Sequence, residues 1–202
     1  PCGVCSSLDP MAAPRRATYA DLLAVPEILV AELIDGELIT SPRPASPHAL
    51  AASAIGSELF SEFSRPPGDA GKPGGWCILF EPELHFGENV LVPDQAGWRR
   101  ERMPRVPNTA AFTLAPDWVL EVVSPSTGRL DRVRKMPIYA REGVQHLWLV
   151  DPLQRTLEGY RLREGRWTVA STHGGTDPIR AEPFEAVALS PGRWWLEDDS
   201  GA

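Results

Sequence analysis

The stretch PDWVLEVVSPSTGRLDRVRK, from Pro116 to Lys135, decides the architecture. Trp118 to Val123 is apolar except at Glu121 and shows no polar alternation, so it reads as a strand buried on both faces. The run breaks at Ser124-Pro125-Ser126-Thr127-Gly128. It resumes as RLDRVRKMPIYAREG, a helix that ends at Gly143, where a glycine commonly closes the last turn. Pro137 lies inside that helix and either kinks it or marks a later start. A buried strand followed by a covering helix implies a mixed α/β or α+β domain around one central sheet. It also leaves a question, because Glu121 stands in the middle of an apolar strand.

Working outward, VQHLWLVDP, TLEGYRLR and RWTVAS form a meander turning at Asp151-Pro152 and Glu164-Gly165. The tail FEAVALSPGRWWLEDD reads as an edge strand and a surface segment. Upstream, WCILFEPELHFGENVLVPD reads as two strands around Gly87-Glu88-Asn89, and RRERMPRVPNTAAFTLAP as irregular. SPHALAASAIGSELFSEF is a helix with Ser46 as N-cap and Pro47 at its first position. Its Leu50, Ala54, Leu59 and Phe63 fall near helical spacing and predict the face that packs on the sheet. VAELIDGELIT places Asp35-Gly36 between two alternating runs, a hairpin signal. TYADLLAVPE is a short helix capped by Thr18 and stopped by Pro26. The expected organisation is a tag-like or disordered N-terminus over 1–17, with Met11 as a natural start, and one domain over 18–197.

The chain has 202 residues, 43% of them apolar, enough for one domain with a substantial core. The 21 prolines and 17 glycines imply many turns and short elements. A net charge of −7 argues against a sequence-independent coat on nucleic acid, which needs a basic face, yet it is compatible with acids gathered at a metal site. Cys2 and Cys5 form a single C-x-x-C without a second pair, which is half of what a zinc site requires. Cys77 sits in an apolar strand and reads as core. No run reaches the roughly 20 apolar residues of a membrane span, and no signal peptide is visible. The expectation is a cytoplasmic protein with no membrane partner.

Two acids carry the chemistry. Asp94 ends VLVPD, and Glu121 lies mid-strand. A buried carboxylate is costly to ionise without a partner or a metal. Two carboxylates converging from neighbouring strands make a hard-oxygen site suited to Mg²⁺ or Mn²⁺. Lys135, in the following helix, could orient water or stabilise charge developing on a phosphate. The competing reading of Asp94 and Glu121 is a pair of structural acids. Asp117, four residues before Glu121, reads better as a cap at the strand start. Glu83 could line the same cleft, and His48 at a helix start could meet a phosphate, although exposed positions explain both. Tyr139, one turn after Lys135, reads as packing on the sheet. Two basic runs, Arg99 to Arg105 and Arg129 to Lys135, offer Arg99, Arg100, Arg102, Arg132 and Arg134 as contacts to a DNA backbone.

The motifs PDQAGWRRERMP, PDWVLEVVSPST, DRVRKMPIYAREGVQHLWLVDP and ELIDGEL followed by SPRPASPH resemble, in that order, the Uma-two family of restriction-endonuclease-like proteins, in the PD-(D/E)XK nuclease superfamily. The resemblance runs from about Tyr19 to about Leu162. It implies a restriction-endonuclease-like core: a central mixed sheet flanked by helices, with an N-terminal hairpin and a C-terminal meander. It further implies that Asp94 is the aspartate of the PD motif, that Glu121 is the second acid, and that Glu37 falls at an acidic family position. The superfamily keeps a lysine two or three residues after the second acid, where this chain has Val123 and Ser124. The family resemblance assigns that role to Lys135.

The leading expectation is a metal-dependent DNA endonuclease, with Asp94 and Glu121 as metal ligands. The alternatives are a catalytically weak or inactive binding or regulatory module on the same fold, and a hydrolase of smaller phosphoesters. A homodimer is a further expectation, with WLVDP and RWW as aromatic interface segments.

Overall fold

The computed structural model describes residues 15–197. Met11, Cys2 and Cys5 lie outside the described residues. Ala17 donates to Gly36 O, and Arg16 pairs with Glu88, so residues before Thr18 already pack on the domain.

The chain begins with α1 (Tyr19–Leu23), capped by Thr18 and Asp21 in a capping box. The hairpin β1 (Leu29–Ile34) and β2 (Glu37–Pro42) follows, turning at Asp35 and Gly36, both with positive φ, as a tight hairpin with right-handed strand twist requires. Helix α2 (Ser46–Phe63) is capped by Ala45, so Ser46 is its first residue rather than its cap. Its buried face is Ala51, Ile55, Gly56, Leu59 and Phe63. Leu59 and Phe63 were anticipated; Leu50 and Ala54 lie one residue off the true stripe.

The next segment gives three strands where two are expected. β3 (Trp76–Phe80) belongs to one sheet, while β4 (Glu83–Phe86) and β5 (Asn89–Leu91) belong to another. The chain switches sheets at Glu81, which takes a positive φ just before Pro82. β6 (Gln95–Arg99) returns to the first sheet, the two-residue β7 (Ala111–Phe112) joins the second, and β8 (Trp118–Val122) is buried throughout. The meander is β9 (His146–Asp151), β10 (Thr156–Arg163) and β11 (Arg166–Gly174).

The expected central mixed sheet is six-stranded, in the order β11-β10-β9-β8-β6-β3. Only β8 and β9 pair in parallel within it, and the helical segment between them is the crossover that a parallel pair needs. The N-terminal hairpin grows into a second sheet, β2-β1-β5-β4-β7. On one face of the central sheet, Trp118, Leu120, Val122 and Trp148 pack against α2. On the other, Val119, Leu147 and Leu149 pack against the crossover helix and the second sheet. Each fully buried side chain of this size contributes about 1.5–3 kcal/mol.

The tail does not form the expected edge strand. It makes one bridge, Ile179 to Leu189, and a short turn at Pro191–Arg193. Trp194 and Trp195 are buried in the chain's own core, as is Trp148. The aromatic segments expected to form a dimer interface are therefore spent inside the domain. Among the described residues no helix is long and apolar enough to cross a membrane.

Candidate active site

The crossover helix places the lysine. It comprises α3 (Gly128–Leu130), a π turn (Asp131–Lys135) and α4 (Met136–Arg141). Pro137 has no N–H to donate, and its ring would crowd the carbonyl four residues earlier. The widened turn immediately before it relieves that conflict without breaking the helix. Asp131, Lys135 and Tyr139 then share one face and are all buried, at 3%, 3% and 0% exposure. Arg132 and Val133 face outward.

That face meets the side of the sheet to which Glu121 points. Lys135 Nζ lies 2.8 Å from Glu121 Oε1, 3.0 Å from Glu32 Oε1 and 3.8 Å from Asp131 Oδ1. Tyr139 donates its hydroxyl proton to the same Glu121 oxygen at 2.6 Å. Glu32 Oε1 also accepts the Val92 N–H at 2.8 Å. Lysine and tyrosine together occupy Oε1 of Glu121 and fix the carboxyl group.

Asp94 follows from register. β6 pairs antiparallel with β8, with Gln95 opposite Leu120, so the next residue back stands beside Glu121. Its Oδ2 accepts the Val122 N–H at 2.6 Å, and its Oδ1 lies 2.6 Å from His48 Nε2 at the start of α2. Asp94, Glu121, Lys135, Glu32, Asp131 and His48 all line one cavity of about 400 Å³.

The cluster is rich in negative charge. Burial pushes the Glu121 carboxyl well above the usual range; Lys135 opposes this, and the charges of Asp131, Asp94 and Glu32 add to it. Burial likewise raises Asp131 to about 6, against the pull of Lys135. Burial alone would lower the Lys135 ammonium, but the surrounding Glu121 and Glu32 outweigh it and hold the group protonated. Burial and the neighbouring Glu121 raise the Tyr139 phenol, which stays a hydrogen-bond donor.

These are hard-oxygen donors in excess over their one internal cation, a set whose chemistry fits Mg²⁺ or Mn²⁺. Among the described residues no three His, Cys, Asp or Glu side chains gather closely enough to hold an ion by themselves. Two carboxylates, Asp94 and Glu121, stand side by side on neighbouring strands at the cavity. Mg²⁺ usually takes one or two carboxylates and completes its shell with water and phosphate oxygens.

Other expected residues lie elsewhere. Glu83 accepts from Tyr19 and His85 in the second sheet, and Glu37 pairs with Arg134 at the hairpin end; neither lines the cavity. Arg134 is also held by Asp35 and by Ile34 O. Arg132 faces Glu158 at 3.7 Å. Arg99 stacks over Trp76 at the far end of β6 from Asp94, Arg102 pairs with Asp117, and Arg100 reaches Pro104 O. Asp117 accepts the Arg99 N–H, consistent with a structural cap. Glu32 and Asp131 escaped the sequence reading. Both had signals: Glu32 is an acid in an apolar strand, as Glu121 is, and Asp131 stands four residues before Lys135 on a helix.

The fold is a restriction-endonuclease-like mixed α+β domain with a buried acid–lysine cluster. The similarity is structural with the crystal structure of a "putative nuclease belonging to DUF820" from Anabaena variabilis, at a TM-score of 0.70 and 24% identity, covering 89% of this chain and 97% of that one. A family model described as "Putative restriction endonuclease", Uma2, matches residues 17–192, and the chain belongs to that family. No curated protein matches it by sequence.

Proposed function

We propose that the chain is a metal-dependent nuclease that hydrolyses phosphodiester bonds in DNA. The observation that carries this reading is the convergence of Asp94, Glu121 and Lys135 on one cavity from a strand end, a buried strand and a π turn. Asp94 and Glu121 would hold Mg²⁺ or Mn²⁺, which when bound polarises a phosphoryl oxygen and lowers the pKa of a bound water. Lys135 keeps a compact positive charge beside Glu121, placed to offset charge as it develops on the phosphate. Tyr139 orients Glu121, and His48 orients Asp94. The superfamily's usual lysine place, Val123 or Ser124, also borders the cavity, so Lys135 reaches the same space from the next element.

The test is cleavage of varied DNA with Mg²⁺ and with Mn²⁺, against a chelator control and Glu121→Ala. Metal-dependent cutting that the substitution abolishes supports the reading. Cutting that survives Glu121→Ala removes it.

The size of the cavity favours a second reading, hydrolysis of a smaller phosphoester. Bis(p-nitrophenyl) phosphate turned over with metal and Glu121 dependence, with DNA left intact, would select it.

A further inference from the structure

We propose that the substrate enters the site as unpaired nucleic acid, one nucleotide seated in the cavity, rather than as an intact duplex; this rests on the nuclease reading above. The floor of the cavity is buried: Glu121, Lys135, Asp131 and Glu32 are each 3–5% exposed. The rim is exposed and comes from three connections. Pro42, Pro44 and Ala45 precede α2, Pro125 and Ser126 follow β8, and Leu153 follows β9. A space of about 400 Å³ is at the scale of a single small-molecule ligand. A duplex carries its phosphates on the outside of a stiff stack, so it cannot lower one phosphate to a recessed floor without opening a base pair. A single strand can splay its bases and follow the walls.

The walls have the chemistry for a base. Proline rings and Leu153, 57% exposed and therefore an apolar side chain offered to solvent, line the mouth. Duplex binding without sequence reading depends on neutralising many phosphates at once. Around this mouth the only arginine among the described lining residues is Arg43, which faces Glu81 at 3.5 Å and donates to Glu27 O. Of the two arginine runs, Arg99, Arg102, Arg134 and Arg132 engage Trp76, Asp117, Glu37 and Glu158, and no arginine of either run lines the cavity. What the site offers is one phosphate-sized polar floor beneath an apolar mouth.

The experiment uses the full chain and one labelled oligonucleotide, presented bare, annealed to its complement, and annealed with an unpaired flap. Binding is read by fluorescence anisotropy with Glu121→Gln in Mg²⁺, and cleavage with the unaltered protein in Mn²⁺. The expected result is that bare and flapped strands bind about tenfold or more tighter than duplex, with cuts mapping to unpaired positions. Leu153→Glu should weaken single-strand binding about tenfold with melting temperature unchanged. Preferential single-strand binding without any cutting upholds this proposal and removes the nuclease reading. Equal or faster cutting of duplex overturns this proposal and leaves that reading standing. It is also overturned if neither form binds, or if Leu153→Glu binds single strands as the unaltered protein does.

Discussion

Lys135→Met removes the central charge of the buried cluster while keeping most of its volume, so the cost is electrostatic rather than a cavity. Lys135 Nζ is the counter-ion to Glu121, Glu32 and Asp131, all within 3.8 Å. Deleting one partner of a buried pair costs about 3–5 kcal/mol, because a charge is left uncompensated. Protonation of the acids can relieve that cost, which gives the effect a pH signature. The ammonium's folded pKa is raised above its ordinary value, so its contribution is fully present below about 10.4 and is lost only as pH rises beyond that. Throughout pH 5–8 the lysine is charged in both states. Glu121 and Asp131 are raised too, Asp131 to about 6, so they favour the fold below their unfolded pKa of about 4 and lose that contribution as pH rises through the folded value. At pH 8 the variant must bury ionised acids without a partner, and at pH 5 they can take up protons. The expected penalty is therefore about 3–5 kcal/mol at pH 8 and clearly smaller at pH 5. Urea unfolding at both values measures it as a shift in midpoint at constant slope. A loss under about 1 kcal/mol at pH 8, or an equal loss at both pH values, would refute the idea that the lysine neutralises this cluster.

The remaining expectations concern its neighbours. Asp131→Asn removes an acid held about two pKa units above its unfolded value, so it should raise stability at pH 8 by up to about 3 kcal/mol and flatten the decline between pH 4 and 6; thermal melts across that range check both. Mg²⁺ or Mn²⁺ should raise the melting temperature by mass action and Asp94→Asn should abolish that rise; an undiminished rise would place the ion elsewhere. Tyr139→Phe loses the 2.6 Å hydrogen bond to Glu121 while Lys135 remains, so it should cost about 1.5–3 kcal/mol in stability and weaken metal affinity measured by calorimetry. Lys135→Arg, whose planar fork cannot replace a compact ammonium in a closed space, should leave cleavage about 10²–10³-fold down.

The strand, the turn and the lysine-bearing helix were legible because each has a local cause. β8 lacks polar alternation, Asp35-Gly36 fixes a hairpin, and a lysine soon after the Glu121 strand can reach back to it. The second sheet was not legible, since WCILFEPELHF reads as continuous apolar strand and the switch depends on one positive φ at Glu81. The cap of α2 fell one residue from the expected serine because Pro47 suits the first turn at either of its opening positions. The arginines' surroundings were hidden for a different reason. Their number is visible in sequence, but their direction is set by Trp76, Asp117 and Glu37, which are brought in by tertiary packing. Glu37, which the family position singles out, stands at the exposed end of the hairpin, whereas Glu32 on the same hairpin is buried.

The tail's attachment to α2 bears on how the protein is made. Glu58, on that helix, accepts the Ser190 N–H at one oxygen and the Trp194 indole at the other, and Phe184 sits among Phe63, Trp76, Trp118 and Trp148. The space between α2 and the central sheet is therefore sealed by the last described part of the chain. During synthesis, at about 5–20 residues per second, the tail that supplies Phe184 and Trp194 follows Trp148 by on the order of several seconds, leaving one side of this packing unfinished. Until then the aromatic edges of Phe63, Trp76, Trp118 and Trp148 that Phe184 covers stand without their last partner, an apolar patch for whatever shields such surface at the ribosome exit.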